Sequence, residues 1–138
     1  MRKTGLIALL GLALLVLAAC EGFSQTGVSS SSQQGMNGGQ ETYRANRANG
    51  TITEDIEVDG ATSGLILDAS VTLTVGKGSF KIELLGEDEE VTLTLEARDG
   101  ETVSGQGWMT TDGFGSANYR VTANEAEDVE YRIEYTFR

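Results

Sequence analysis

From about Thr51 to the C-terminus, apolar residues recur at every second position. Successive side chains on an extended strand point to opposite faces, so period two marks strands with one face buried and the other in water. Ile52, Ile56 and Val58 share a face, as do Leu65 and Leu67, and Val71, Leu73 and Val75 alternate with Thr72 and Thr74. Phe80, Ile82 and Leu84, then Val91, Leu93, Leu95 and Ala97, repeat the pattern with Lys, Thr and Glu between them. A Gly-broken run covers Thr102 to Thr110, and two further runs carry Ala117 to Ala123 and Val129 to Phe137. Gly76-Lys77-Gly78, the acidic Gly86-Glu87-Asp88-Glu89-Glu90, Asp99-Gly100 and Asp112-Gly113-Phe114-Gly115 read as turns. Asn124 to Asp128 leaves room for one helical turn and no segment carries a helical stripe. The expected fold is all-β, an antiparallel β-sandwich of about seven or eight short strands occupying residues 43–138.

The chain has 138 residues and a formal charge of −11, with no His, no Pro and one Cys. Without His, Ser-His-Asp and Cys-His catalysis and imidazole-held zinc are excluded. A surface this acidic repels nucleic acid, and a single Cys makes no intrachain disulfide. No catalytic or cofactor motif stands out, so the expectation is a protein that is not an enzyme.

The N-terminus has its own organisation. Arg2 and Lys3 precede an uncharged run from Thr4 to Ala19, which ends in Leu17-Ala18-Ala19-Cys20. A basic start, an apolar core and small residues at its end make a secretory signal, and the apolar run is short for a permanent membrane span. These four residues resemble the lipobox of bacterial lipoproteins. The resemblance implies cleavage between Ala19 and Cys20, a diacylglyceryl group on the Cys20 sulfur with or without an N-acyl chain, and a membrane anchor on the extracytoplasmic side of the cell envelope. Two acyl chains hold a protein stably on a bilayer. Residues 20–42, rich in Ser, Gly and Gln, then read as the lipidated Cys and a disordered spacer.

A second resemblance covers residues 91–123. Leu95 to Gly105, with its Asp99-Gly100 turn and Val103-Ser104-Gly105 step, followed by Thr111-Asp112-Gly113-Phe114-Gly115, is similar to bacterial Ig-like modules. It implies an Ig-like sandwich with an adhesive or scaffolding role and an envelope protein or glycan as partner.

Trp108, the only Trp, is the candidate ligand contact. Parity puts it with Ser104, Gln106 and Thr110 on the solvent face, where an aromatic platform suits sugar stacking. A bulge at Gly105 or Gly107 would return it to the core, and this is the preferred reading, because paired glycines often mark bulges. An outward Trp108 beside two carboxylates would favour the alternative function, a small carbohydrate-binding module or carbohydrate-active enzyme. Glu87, Asp88, Glu89 and Glu90 are weak candidates for a Ca²⁺ site, against a solvated hairpin tip as the preferred reading. Asp112 reads as a turn former, and Tyr119, Tyr131 and Tyr135 read as core residues rather than a ligand-binding row.

Overall fold

The computed structural model describes residues 22–138. The signal segment and lipobox, with Ala19 and Cys20, lie outside the described residues. Seven strands follow in chain order: β1 (Phe23–Thr26), β2 (Ser29–Gln34), β3 (Gly38–Glu57), β4 (Ile66–Leu85), β5 (Val91–Arg98), β6 (Thr102–Thr110) and β7 (Ser116–Phe137). All pairings are antiparallel. The fold is the expected all-β sandwich, but its strands are divided differently.

Three strands, β3, β4 and β7, are about twenty residues long and run side by side in the order β3-β7-β4. Each is irregular at its middle. Register slips between Ala48 and Gly50 of β3 and between Lys77 and Ser79 of β4, while Glu125 and Asp128 of β7 take positive φ values of 44° and 51°. A bulge bends a strand and exchanges the faces of its side chains. Here the irregularities line up across all three strands and form a crease. The buried set on β4 is accordingly odd-numbered before the crease (Leu67, Ala69, Val71, Leu73, Val75) and even-numbered after it (Phe80, Ile82, Leu84) until a second register slip, against β5, buries Leu85 as well. The crease folds one sheet into two layers. Layer one holds β2, the first half of β3, the second half of β7, the first half of β4, and β6. Layer two holds the remaining halves and β5, while β1 pairs beside the crease with Arg47 to Gly50. Gly76-Lys77-Gly78 and Asn124 to Asp128, expected as breaks between strands, are therefore folds within strands.

The inner faces of the two layers make one core. Tyr43 of layer one lies 6.4 Å from Phe80 of layer two, and the hydroxyls of Tyr131 and Tyr119 meet across the layers at 2.9 Å. Leu93 and Leu95 of β5 press on β6 at two glycines. A Cβ at Gly107 would stand 2.6 Å from the Leu93 Cβ, and one at Gly105 would stand 3.0 Å from the ends of both leucines. These glycines permit close approach between layers and do not mark a bulge. The β4–β6 register runs unbroken from Ile66↔Thr110 to Thr74↔Thr102.

The expected spacer is also corrected. Of residues 20–42, Phe23–Thr26 and Ser29–Gln34 are strands on the edge of β3, and the sheet thus begins well before residue 43. Their composition argues for disorder because Phe23, which packs against the core, is their one apolar side chain. They are ordered by main-chain ladders and by side chains that reach both layers. Gln34 Nε2 donates to the Glu57 carbonyl at 3.1 Å and to the Tyr135 hydroxyl at 2.9 Å, and its Oε1 accepts from Asp59 N. Tyr43 donates to Gln25 Oε1 at 2.6 Å. Hydrogen exchange tests this order. Ladder-bonded amides of Ser29–Gln34 are expected to exchange much more slowly than free peptide, and exchange at free-peptide rates would restore the spacer.

Candidate functional site

With β6 free of bulges, Trp108 stands on the outer face of layer one and is 37 % exposed. The preferred expectation of a core Trp is thus corrected. Its backbone is fixed on both sides, by Asp68 of β4 in register and by the Thr92 hydroxyl, which accepts from Trp108 N at 3.1 Å and donates to its carbonyl. The indole leans on Gly86, where a Cβ would come within 3.2 Å of Nε1. The covered edge anchors the ring and leaves the remainder in solvent.

Beside the ring lies an open depression of about 530 Å³, whose lining includes Asp68, Ser70, Gln106, Glu134 and Thr136. Two carboxylates flank the Trp, yet they differ. Asp68 is held bidentately by Arg138, at 2.6 and 3.2 Å, and hydrogen bonding from that guanidinium keeps its carboxyl below the usual range. Glu134 is only loosely paired with Arg132, at 3.7 Å between exposed side chains. Asp68, so held, is the opposite of the carboxyl with a raised pKa that a general acid for glycoside cleavage needs. The face can stack on a ring and exchange hydrogen bonds through amide, hydroxyl and carboxylate groups.

The acidic residues occupy a different place. Glu87–Glu89 form a 3₁₀ turn, with Asp88 and Glu89 at positive φ, while Glu90 follows in extended conformation. Glu87, Asp88 and Glu89 line a cleft of about 470 Å³ at the loop end, together with Asp112 and Asn118. Among the described residues, no three acidic or other ligating side chains converge on a point that suits a metal ion. Asp112 is the expected turn former, its Oδ1 accepting from Phe114 N and Ser116 N at 2.9 and 3.1 Å. Tyr119, Tyr131 and Tyr135 are buried in the core.

Two carboxylates with raised pKa values lie elsewhere. Glu41 and Glu54 sit on the inner face of β3, in the two layers, and burial raises both, with further repulsion from Asp55. Glu54 also helps push the Tyr43 hydroxyl up to about 12, after burial itself. Sequence parity carried the signal for Glu54, since it shares a face with Ile52 and Ile56. A carboxyl whose pKa is raised by folding costs stability once ionised, and protonation relieves that cost as pH falls through the folded pKa. Glu54→Gln is therefore expected to raise the Tm at pH 7 and to change little below the ordinary carboxyl range. Thermal melts of both proteins across that window check this, and equal shifts at both ends would contradict it. Glu83, lowered chiefly by its hydrogen bond from Arg120, has the opposite sign and cancels in the comparison.

No family model and no curated protein matches the chain. Among solved structures it is similar to the CBM22-1 xylan-binding domain of Paenibacillus barcinonensis Xyn10C, at 14 % identity over 85 % of each chain and a TM-score of 0.41. It is similar to a protein of the Bacillus endospore appendages, disulfide-linked pili, at 13 % identity over 83 % of this chain and 89 % of that one, with a TM-score of 0.46. It is also similar to the carbohydrate-binding module CBM6cm-2 of Cellvibrio mixtus lichenase 5A, at 16 % identity over 82 % and 88 % and a TM-score of 0.37. At these identities the likeness concerns strand architecture alone.

Proposed function

We propose that this chain is a non-catalytic glycan-binding module, anchored by lipid on Cys20 to the outer side of a bacterial membrane. The observation that carries the binding reading is Trp108, fixed on an otherwise polar sheet face beside Gln106, Ser70 and Glu134. An amphipathic ring surrounded by groups that both donate and accept suits the apolar face and hydroxyl rim of a sugar. The absence of catalysis is supported by the chemistry of that face, where Asp68 is held as an ionised acceptor.

The anchor rests on the lipobox. Only Glu21 and Gly22 separate Cys20 from β1, and β1 lies beside the crease. Three residues of extended chain reach about 10 Å, so lipid on Cys20 would keep the crease end close to the bilayer and direct the loop end outward. The Trp108 face would then stand upright, open to envelope polysaccharide.

Retention of the soluble chain 21–138 on insoluble polysaccharides (xylan, cellulose, chitin, peptidoglycan) tests the reading. The proposal predicts retention on at least one and loss of retention for Trp108→Ala. No retention on any of them, or equal retention of the variant, contradicts it.

A further inference from the structure

We propose that the outer face of layer one binds the interior of a linear, uncharged polysaccharide, laid across the strands from Trp108 to Gln33. This rests on the glycan reading and extends it to ligand shape. Four pairings put Gln106, Ser70, Glu134, Gln40 and Gln33 in one row across β6, β4, β7, β3 and β2. All five side chains are on the outer face, and Trp108 stands at one end, one outward position along β6 from Gln106.

The relief of the surface follows the row. The depression beside Trp108 ends at Glu134, and a second one of about 480 Å³ begins there and is lined by Gln33 and Gln40. Glu134 lines both, so the two depressions lie end to end, and the proposed trough follows the row across five strands. Four inter-strand spacings make it about 19 Å long, and an extended chain advancing about one spacing per ring fills it with about four sugar rings. A trough open at both ends accepts the middle of a chain and does not require a chain end.

The row also selects by charge. Its three Gln amides donate and accept, as pairs of sugar hydroxyls do. Glu134, half exposed and loosely paired, sits at the centre and repels the carboxylates of uronic acids. Of the neighbouring cations, Arg138 is engaged by Asp68, and the charge of Arg132 is faced by Glu134 itself.

Calorimetry with cello-, xylo- and chito-oligosaccharides of two to six units tests this on the soluble chain 21–138. For the series that binds, affinity is expected to climb from dimer to tetramer and then level off. Gln40→Ala and Gln33→Ala, at the end remote from Trp108, are each expected to weaken the hexamer about fivefold, as the loss of one hydrogen bond does, and to leave the dimer unchanged. A hexamer no tighter than the dimer, or unaffected by both Gln variants, would overturn the trough while leaving glycan binding at Trp108 intact. Absence of binding by every oligosaccharide would overturn the trough and the glycan reading together.

Discussion

Gly78→Ala is expected to destabilise the fold by about 3 kcal/mol or more. Gly78 lies at the crease of β4 with φ of +76°, a conformation that costs an L-residue about 1–2 kcal/mol. The added Cβ would also stand 2.2 Å from the Glu125 carbonyl oxygen and 2.7 Å from that of Asn124. Both obstacles are backbone of β7 at its own bend, so relief requires the two strands to separate where the sheet folds. The amide of Gly78 donates to Asp99 Oδ1 at 2.6 Å, which ties the same point to the β5–β6 turn. Since a domain of this size is stable by only about 5–15 kcal/mol, the midpoint of urea unfolding should fall sharply. Gly113→Ala is the control, with ordinary φ and nothing within 4 Å of the added methyl, and is expected to stay within about 0.5 kcal/mol. Equal midpoints for the two variants would mean that the crease does not hold the layers together.

Trp108→Ala is expected to weaken glycan binding roughly 30-fold or more, the loss typical of an aromatic hot spot of 2 kcal/mol or above. The ring is 37 % exposed and its backbone is fixed by Asp68 in register and the Thr92 hydroxyl, so the platform is preformed and little ordering cost opposes binding. Trp108→Phe keeps a smaller platform and should retain part of the affinity. Affinity electrophoresis in gels containing the retained polysaccharide reads both variants directly. Mobility of Trp108→Ala that is retarded as strongly as the parent would remove Trp108 from the site.

The two-faced strands of the core were legible because alternation survives wherever one face is dry and the other wet. The long strands were not, since a bulge resets parity. Val71 to Val75 and Phe80 to Leu84 read as two strands although they belong to β4, and β7 divides in the same way at Asn124 to Asp128. β2, with Ser29 to Gln34 polar on both faces, carries no alternation and owes its order to main-chain pairing with β3. Gly105 and Gly107 were ambiguous, because a bulge and a close approach both call for glycine, and only the leucines of β5 decide between them. Trp108 was identifiable as a candidate from its type and parity. The row from Gln106 to Gln33 was not, because it joins residues from five strands whose mutual register is a property of the folded sheet.

The most direct test of the binding account uses the single Trp as its own reporter. Acrylamide quenching of Trp108 is measured on the chain 21–138, alone and saturated with the oligosaccharide series of up to six units. A ring one-third exposed on the sheet face should be quenched in the free protein, and ligand stacked over it should lower the quenching constant, with half-saturation at the calorimetric Kd. A Trp108 already shielded in the free protein, or one whose quenching does not change at any oligosaccharide concentration, would contradict the account.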